Sequence, residues 1–438
     1  MSLKKISVIT ATNLVIANMI GTGVFTSLGF QVASISSDLA LISLWVVGGV
    51  AALCGALCYA ELATALPKSG GEYNYLSRIY HPSLGFLAGG ISAIVGFPAP
   101  IALAALAFGK YVEVFLPGVP PVTTSLLIVW IITAIHLFGL RAEERFQNWS
   151  TFLKIVLILG FIVAGFFMAN PQHLDLAPSA GALAAMVSGP FAKSLVFVMY
   201  SYSGWNAASY ITEEVKNPAK NLPWALLGGT IVVTVLYVVL NFIFLLGTPK
   251  QILAGQVEVG LLAGRAIFGP LGGNFVSALI AIGLIATISA FSWIGPRITK
   301  RMAEDLPKLR AFGRSSAHGT PYVAVVFQLI VVTIFVITGT FEKVLVYTQF
   351  TLFLCSFLTV LGLFVLRIRE PELERPYKVW LYPLTPLLFL ILTLWMMVFV
   401  VLNNPVESLL GLITAIAGVV VFFFSKEPGR LSARSRQH

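Results

Sequence analysis

Two long apolar segments of the sequence are interrupted near their middles by residues that favour irregular backbone. The first segment, residues 6–30, is interrupted at Gly21-Thr22-Gly23, and the second, residues 182–210, at Ser201-Tyr202-Ser203-Gly204. A helix that breaks inside a membrane exposes amide N–H groups at one half-helix end and carbonyl groups at the other. These groups suit the carboxylate and the ammonium of a zwitterion. The paired breaks therefore predict a binding site for a zwitterionic ligand.

Each interruption also has a simpler interpretation. Gly21 and Gly23 could form a small-residue packing face, and the aromatic residues around Tyr200 could belong to an interfacial belt. The belt is the weaker alternative, because this cluster lies in the middle of its segment. Membranes tolerate irregular backbone only where it is buried in protein or lines a cavity. Two matching breaks, one in each half of a many-span chain, favour the binding site of a secondary transporter.

Of the charged residues inside the predicted spans, Lys154 is the one to which we assign a functional role. It lies seven residues into segment 147–168, which corresponds to about 10 Å along a helix. Such a lysine can extend to the membrane surface, but intramembrane charges usually mark functional sites. We interpret Lys154 as an internal cation that binds carbonyl groups of the first break and a hydroxyl of a later segment, Thr287 or Ser289.

Composition places the chain in a membrane. Hydrophobic residues make up 58% of the sequence and charged residues 11%, against about 25% charged residues in soluble proteins. Twelve apolar segments reach the roughly 17–20 residues that cross a bilayer as a helix. We predict an all-α integral membrane protein with twelve transmembrane helices, of which helices 1 and 6 are broken. The predicted spans are 7–30, 39–66, 84–115, 122–139, 147–168, 184–212, 223–247, 262–296, 322–339, 343–366, 380–402 and 406–425.

The distribution of lysine and arginine predicts the orientation. With both termini cytoplasmic, 22 of the 28 Lys and Arg residues fall on the cytoplasmic side, and three fall outside. This asymmetry agrees with the positive-inside rule. It also accounts for the net charge of +10 without a nucleic-acid partner. We predict a multi-pass protein of the inner (plasma) membrane with a basic cytoplasmic tail, residues 426–438, that lies against anionic lipid or is disordered.

The layout of the breaks suggests internal symmetry. The two broken spans are five spans apart, which fits two five-helix repeats of inverted topology. We predict these repeats at residues 1–168 and 182–368, followed by spans 11 and 12 at residues 379–425. The three cysteines lie within spans, and no His or carboxylate stands at ligand spacing from them, so we predict no metal site and no cofactor. No paired carboxylates or nucleophile–base set lies at membrane depth, which argues against an enzyme.

Several motifs occur together and in a characteristic order over most of residues 10–370. They are Ile20-Gly21-Thr22-Gly23-Val24-Phe25, Pro67-Lys68-Ser69-Gly70-Gly71-Glu72-Tyr73, Gly204-Trp205-Asn206, Thr212-Glu213-Glu214 and Gly319-Thr320-Pro321. In these motifs the chain resembles the amino acid–polyamine–organocation superfamily, specifically its L-type amino-acid transporter branch. Within that branch it is most similar to small bacterial alanine–serine–cysteine exchangers.

The resemblance implies the inverted-repeat fold of the leucine transporter, with helices 1 and 6 broken. It also implies sodium-independent exchange of small neutral L-amino acids of the alanine, serine, cysteine and glycine class. The substrate carboxylate would bind the N–H groups and the hydroxyl around Thr22 and Gly23. The substrate amino group would bind backbone carbonyls of Met19, Tyr200, Ser201 and Ser203.

The resemblance also implies roles for residues around the breaks. Tyr200 stands where the family has its external gating aromatic residue, and Asn206 lies beside the second break. Lys154 matches the lysine of span 5 in this branch, where sodium-coupled relatives hold a cation. Tyr237 matches a tyrosine of span 7 near the pocket, and Ser289 is a candidate partner of Lys154.

One departure from the family bears on partners. Eukaryotic light chains of this branch carry a cysteine between spans 3 and 4 that bonds a heavy subunit. Residues 116–121 contain no cysteine, so we predict that no heavy subunit is linked by a disulfide. The expected partners are a neutral amino-acid substrate and the lipid bilayer. The alternative function within the same superfamily is a proton-coupled amino-acid symporter in which Lys154 gains and loses a proton.

Overall fold

The computed structural model describes residues 5–137, 143–167, 171–305, 307–316 and 320–425. Within these ranges the chain is helical, apart from loops and an isolated parallel bridge between Ile6 and Val215. The predicted tail 426–438 and Gly319 lie outside the described residues. The helices are α1 (Val8–Met19), α2 (Gly23–Val32), α3 (Asp38–Ala65), α4 (Glu72–Ile79), α5 (Pro82–Ile91), α6 (Pro98–Val112), α7 (Pro121–Leu137), α8 (Glu143–Phe166), α9 (Ala180–Met186), α10 (Gly189–Tyr202), α11 (Pro218–Gly247), α12 (Lys250–Leu253), α13 (Val259–Asp305), α14 (Tyr322–Thr338), α15 (Phe341–Arg369), α16 (Leu384–Asn403) and α17 (Pro405–Ser425).

The helices support a membrane protein by their length and composition. Among the described residues, eight helical stretches are long and apolar enough to cross a membrane, and the bent pair formed by α9 and residues 189–214 would make a ninth. Three shorter apolar helices, at 121–137, 152–166 and 322–338, coincide with further predicted spans. The all-helical membrane architecture is therefore confirmed. Twelve transmembrane helices, the inverted repeat and its boundaries stay predictions.

Two predicted spans differ from the structure: one contains a bend near its start, and the other is interrupted near its start. Span 6 begins at Gly189 and not at residue 184, because α9 is a separate helix bent by 58° from it. The Ser188 hydroxyl caps α10 by accepting a hydrogen bond from the N–H of Phe191, which fixes the new start. The predicted span 262–296 is interrupted at Gly269, whose φ of +74° lies in the left-handed region. Pro270 follows and cannot continue a helical hydrogen-bond pattern through this point.

Helix α3 is central and brings its neighbours close through small residues. Its glycines face the side chains of three other elements, so that an added Cβ atom would collide with them. Gly48 faces Val198 of α10, Gly49 faces Thr234 of α11, and Gly55 faces Trp205 after the second break. Small residues permit such close packing between membrane helices. The broken helices are thereby held against a rigid partner.

Candidate functional site

The first break separates α1 from α2 and leaves backbone donors free. Residues 20–22 are non-helical, and Thr22 precedes α2 without a side-chain cap. The first N–H groups of a helix have no acceptor within the helix. Within the described ranges, the N–H groups of Gly23 and Val24 have no hydrogen-bond acceptor. These two groups and the positive end of the α2 dipole can bind a carboxylate.

The second break ends α10 at Tyr202, and a glycine makes it possible. Gly204 has φ +107°, and an added Cβ atom would lie 2.8 Å from the backbone carbon of Asn18 in α1. Both facts require glycine at this position. The carbonyl groups of Ser201 and Tyr202 accept no hydrogen bond from any described residue. They are therefore available to an ammonium group.

The two breaks contact each other directly. An ideal Cβ atom on Gly23 would lie only 2.4 Å from the Ser201 hydroxyl oxygen, so the two backbones are closely packed. The hydroxyls of Thr22 and Tyr200 lie 3.1 Å apart, and those of Ser27 and Ser201 lie 3.0 Å apart. The free donors of α2 and the free carbonyls of α10 thus belong to one site.

Lys154 reaches the first break from α8. Its side chain is buried, and its Nζ donates to the Ile20 carbonyl at 3.0 Å and to the Thr287 hydroxyl of α13 at 2.8 Å. The alternative in which Lys154 extends to the membrane surface does not fit this geometry. Of the two hydroxyls considered from sequence, only Thr287 contacts the ammonium. The hydroxyl of Ser289 instead lies 3.2 Å from Nε2 of His136 in α7.

Some backbone carbonyls predicted to bind substrate already have donors. The carbonyl of Met19 accepts the Tyr237 hydroxyl at 2.6 Å and the N–H of Gly21 at 2.8 Å. The carbonyl of Tyr200 accepts the N–H of Ser203 at 3.0 Å. Since a carbonyl oxygen has two lone pairs, Met19 has no remaining acceptor capacity in this conformation. The Tyr237 hydroxyl therefore donates to the backbone of the break in this conformation.

Two further predicted residues lie at the second break with polar partners of their own. The Ser203 hydroxyl donates to Gln349 Oε1 of α15 at 3.3 Å, and the Asn206 side chain lies near the Tyr210 hydroxyl. Gln349 and Val24 were missed from sequence, because neither carries a local signal of irregular backbone. Gly21 faces open space, since the atom nearest to an added Cβ would be the Met19 carbonyl oxygen at 4.0 Å.

Contacts on both sides cover the site. On the predicted external side, the ring of Phe30 in α2 stacks on Phe197 and on Phe341, with ring centroids 5.0 and 5.9 Å apart. On the predicted cytoplasmic side, the N–H of Ile6 donates to the Glu214 carbonyl at 2.8 Å, and the N–H of Lys216 donates to the Ile6 carbonyl at 2.9 Å. The breaks are therefore enclosed in this conformation.

The comparison with known proteins agrees with this geometry. The family described as "Amino acid permease" matches residues 6–423. The chain belongs to this family. The match and the relatives below place it in the amino acid–polyamine–organocation superfamily, in the L-type amino-acid transporter branch, as the sequence motifs predicted. The chain is a multi-pass membrane transporter of amino acids and not an enzyme.

Three relatives illustrate the similarity. The Asc-type amino acid transporter 1 of Mus musculus is 30% identical over 442 residues, covering 96% of this chain and 81% of the relative. The b(0,+)-type amino acid transporter 1 of Mus musculus is 30% identical over 432 residues, covering 96% and 87%. The serine/threonine exchanger SteT of Bacillus subtilis (strain 168) is 28% identical over 434 residues, covering 97% of each chain.

Proposed function

We propose that this chain exchanges small neutral L-amino acids of the alanine, serine, cysteine and glycine class across the membrane, without sodium and by alternating access. One observation carries the proposal. Among the described residues, the N–H groups of Gly23 and Val24 and the carbonyls of Ser201 and Tyr202 have no hydrogen-bond partner, and Gly23 packs directly against Ser201 where the two broken helices touch. This arrangement offers donors to a carboxylate and acceptors to an ammonium, with no charged side chain needed for either.

The preference for neutral side chains follows from the charges around the breaks. In the described part of the chain, Lys154 is the one charged side chain that hydrogen-bonds to residues 19–24 or 199–206, and its partners are Ile20 and Thr287. A charged substrate side chain would find no opposite charge and would lose its hydration. One relative is described as a serine/threonine exchanger, which supports a small substrate.

Sodium independence is proposed from the position of the Lys154 ammonium. It bridges the carbonyl of Ile20 in the first break and the hydroxyl of Thr287 in α13. Oxygen ligands from these two elements would otherwise be available to a small cation. An ammonium fixed to the protein at this position makes a transported cation unnecessary for holding the break.

We further propose Tyr200 as the external gate. Its hydroxyl lies 3.1 Å from the Thr22 hydroxyl and so connects the two breaks. Tyr237, held on the Met19 carbonyl, would couple α11 to movement of α1. The chain would work in the plasma membrane with both termini cytoplasmic, and without a disulfide-linked subunit.

Reconstitution of the purified chain alone tests the exchange proposal. Proteoliposomes loaded with unlabelled alanine should take up labelled alanine in sodium-free buffer, and empty proteoliposomes should not. A panel of twenty unlabelled amino acids inside should show counterflow with alanine, serine, cysteine and glycine. Equal counterflow with arginine or glutamate would contradict the proposed neutral site.

The proton-coupled symporter remains the second candidate, and one observation favours it. The hydrogen-bond partners of Lys154 are a carbonyl and a hydroxyl, and the described residues provide it with no carboxylate. An ammonium without a counter-ion can release a proton more readily than a paired one. Accumulation of alanine in empty proteoliposomes, driven by an acidic exterior, would favour symport over exchange.

A further inference from the structure

The loop helix α4 begins with a carboxyl group that is buried without a counter-ion. Glu72 is 5% exposed, and its Oε1 accepts a hydrogen bond from the Tyr59 hydroxyl of α3 at 2.6 Å. The Tyr210 side chain also lies near this carboxyl group. Among the described residues no Lys, Arg or His forms an ion pair with Glu72. A buried carboxylate without a cation is costly, so the neutral acid is favoured here.

Among the described residues, the side chains that face Glu72 from other elements are those of tyrosines and a cysteine. On α4 itself Tyr75 is buried, and Arg78 is turned outward, where it pairs with Glu370 at 2.6 Å. Helix α5 packs on the Tyr73 and Ser77 side of α4 through Gly85. The titratable groups that face Glu72 are Tyr59 of α3, Tyr75 of α4, Tyr210 of segment 207–214 and Cys355 of α15.

The residues before Glu72 bind the inner half of span 6. The N–H of Gly70 donates to the Tyr210 carbonyl at 3.1 Å. The N–H of Ser69 donates to Glu213 Oε2 at 3.1 Å, and the Ser69 hydroxyl accepts the N–H of Glu213 at 3.0 Å. At Gly71 φ is +53°, and an added Cβ atom would lie 2.8 Å from the ring of Tyr210. Residues 69–72 are therefore fixed to segment 207–214 by backbone and side chain.

This segment continues directly from the second break towards the bridge that holds the start of span 1. The Tyr210 side chain lies near Asn206 beside the break as well as near Glu72, and Val215 pairs with Ile6. Opening of the cytoplasmic side requires segment 207–214 or α1 to move. Movement of segment 207–214 breaks its contacts with residues 69–72 and opens the Glu72 carboxyl to water.

We propose that Glu72 is a proton-binding latch on the cytoplasmic gate: the protonated carboxyl holds residues 69–72 against segment 207–214, and loss of the proton favours opening. This inference rests on the proposed alternating access, but not on the identity of the substrate. Burial raises the pKa of Glu72 to about 7, although the hydrogen bond from Tyr59 and the nearby Tyr210 hydroxyl act in the opposite direction. The closed gate should therefore lose stability as the cytoplasmic pH rises through about 7.

The direction of this pH effect follows from linkage. In an open gate the hydrated carboxyl has an ordinary pKa near ~4.3, so closure takes up a proton between that value and about 7. The stabilisation of the closed gate by the Glu72 proton is fully present below the ordinary pKa. It is lost as pH rises through the raised pKa. Between these two pKa values, each rise of one pH unit shifts the equilibrium between closed and open gates roughly tenfold towards the open gate.

Cysteine labelling tests the latch without any transport assay. Ser209 is buried in segment 207–214, and Ser209→Cys, with the three native cysteines replaced by alanine, reports opening in purified protein. The labelling rate of this reporter is measured between pH 6 and pH 8, with Glu72 present and with Glu72→Gln. Comparing the two proteins at each pH cancels the pH dependence of the thiol's own reactivity. We expect the labelling rate with Glu72, divided by the rate with Glu72→Gln, to rise about tenfold from pH 6 to pH 8. An unchanged ratio would overturn the proposal.

A matched control and a second variant keep the test decisive. Glu213→Gln alters an exposed carboxylate of the same interface and should keep the full pH response. Tyr59→Phe removes one donor to the carboxylate and should move the midpoint to higher pH. If Glu72→Gln fails to fold, an unmoved midpoint in Tyr59→Phe overturns the latch. Failure of amino-acid exchange in proteoliposomes would leave this labelling result unaffected, so the two proposals fail separately.

Discussion

At the scale of single residues, the two glycines of the first break have different surroundings. A Cβ atom on Gly23 would lie 2.6 Å from Cα of Ser201, whereas a Cβ on Gly21 would meet only the Met19 carbonyl oxygen at 4.0 Å. Substitution at Gly23 therefore disturbs helix packing whether or not substrate binds there. Gly21 is the position at which a small side chain would fit without disturbing the fold, and at which we expect it to compete with substrate for the proposed site.

We expect Gly21→Ala to fold normally and to raise the half-saturation concentration for alanine at least tenfold, because the methyl group would occupy space beside the free N–H groups. Counterflow in proteoliposomes measures this change, and thermal unfolding in detergent checks the fold. Gly23→Ala is the matched comparison, and it should lower thermal stability. An unchanged half-saturation concentration in Gly21→Ala would show that substrate does not use this space.

Lys154 provides the second prediction at this scale. Its ammonium makes two hydrogen bonds from a buried position, and hydrogen bonds to charged groups are each worth about 1.5–3 kcal/mol. Losing them should slow exchange by tenfold or more in Lys154→Ala. The controls are Lys110→Ala and Lys193→Ala, since both lysines form half-exposed pairs, with Glu113 at 3.2 Å and Glu342 at 2.9 Å.

Exchange rates at equal protein incorporation decide the outcome for Lys154. Near wild-type exchange by Lys154→Ala would contradict its role at the break. Lys154→Arg should also be impaired, because Gly283 of α13 leaves little room beside the lysine chain, with an added Cβ 3.3 Å from it.

At the scale of elements, a buried carboxylate joins α3 to the end of α15. Glu61 accepts Nε and Nη2 of Arg367 at 2.8 and 2.6 Å, and it also accepts the N–H of Val379 at 2.7 Å. Arg375 lies 3.6 Å from the same carboxylate. Glu61 and Glu72 thus differ, because arginines neutralise Glu61, whereas no described residue forms an ion pair with Glu72.

Removal of this carboxylate should destabilise the protein strongly. Breaking a buried ion pair costs about 3–5 kcal/mol, so Glu61→Ala should lower the thermal unfolding temperature in detergent clearly. Glu113→Ala removes a half-exposed pair and should change the free energy of unfolding by less than about 1 kcal/mol. Similar stability of the two variants would show that Glu61 does not hold these elements together.

At the scale of the whole molecule, orientation is the feature that charge distribution predicts. Leu116 lies in the loop between α6 and α7, and Ser315 lies before α14; both are exposed in the structure. The three native cysteines are buried and give a low background. A membrane-impermeant thiol reagent on intact cells should label Leu116→Cys and should not label Ser315→Cys. The reverse pattern would place both termini outside.

The sequence alone determined the membrane class, the two breaks and the partnership of Lys154 with the first break. Each depends on local signals: apolar length, glycine in an apolar run, and a charge inside a span. Tertiary structure decided that Thr287 and not Ser289 contacts Lys154, that Tyr237 already binds the Met19 carbonyl, and that Glu72 is buried without a counter-ion. These pairings join different helices, and which side chains meet depends on how the helices pack, which no local pattern encodes.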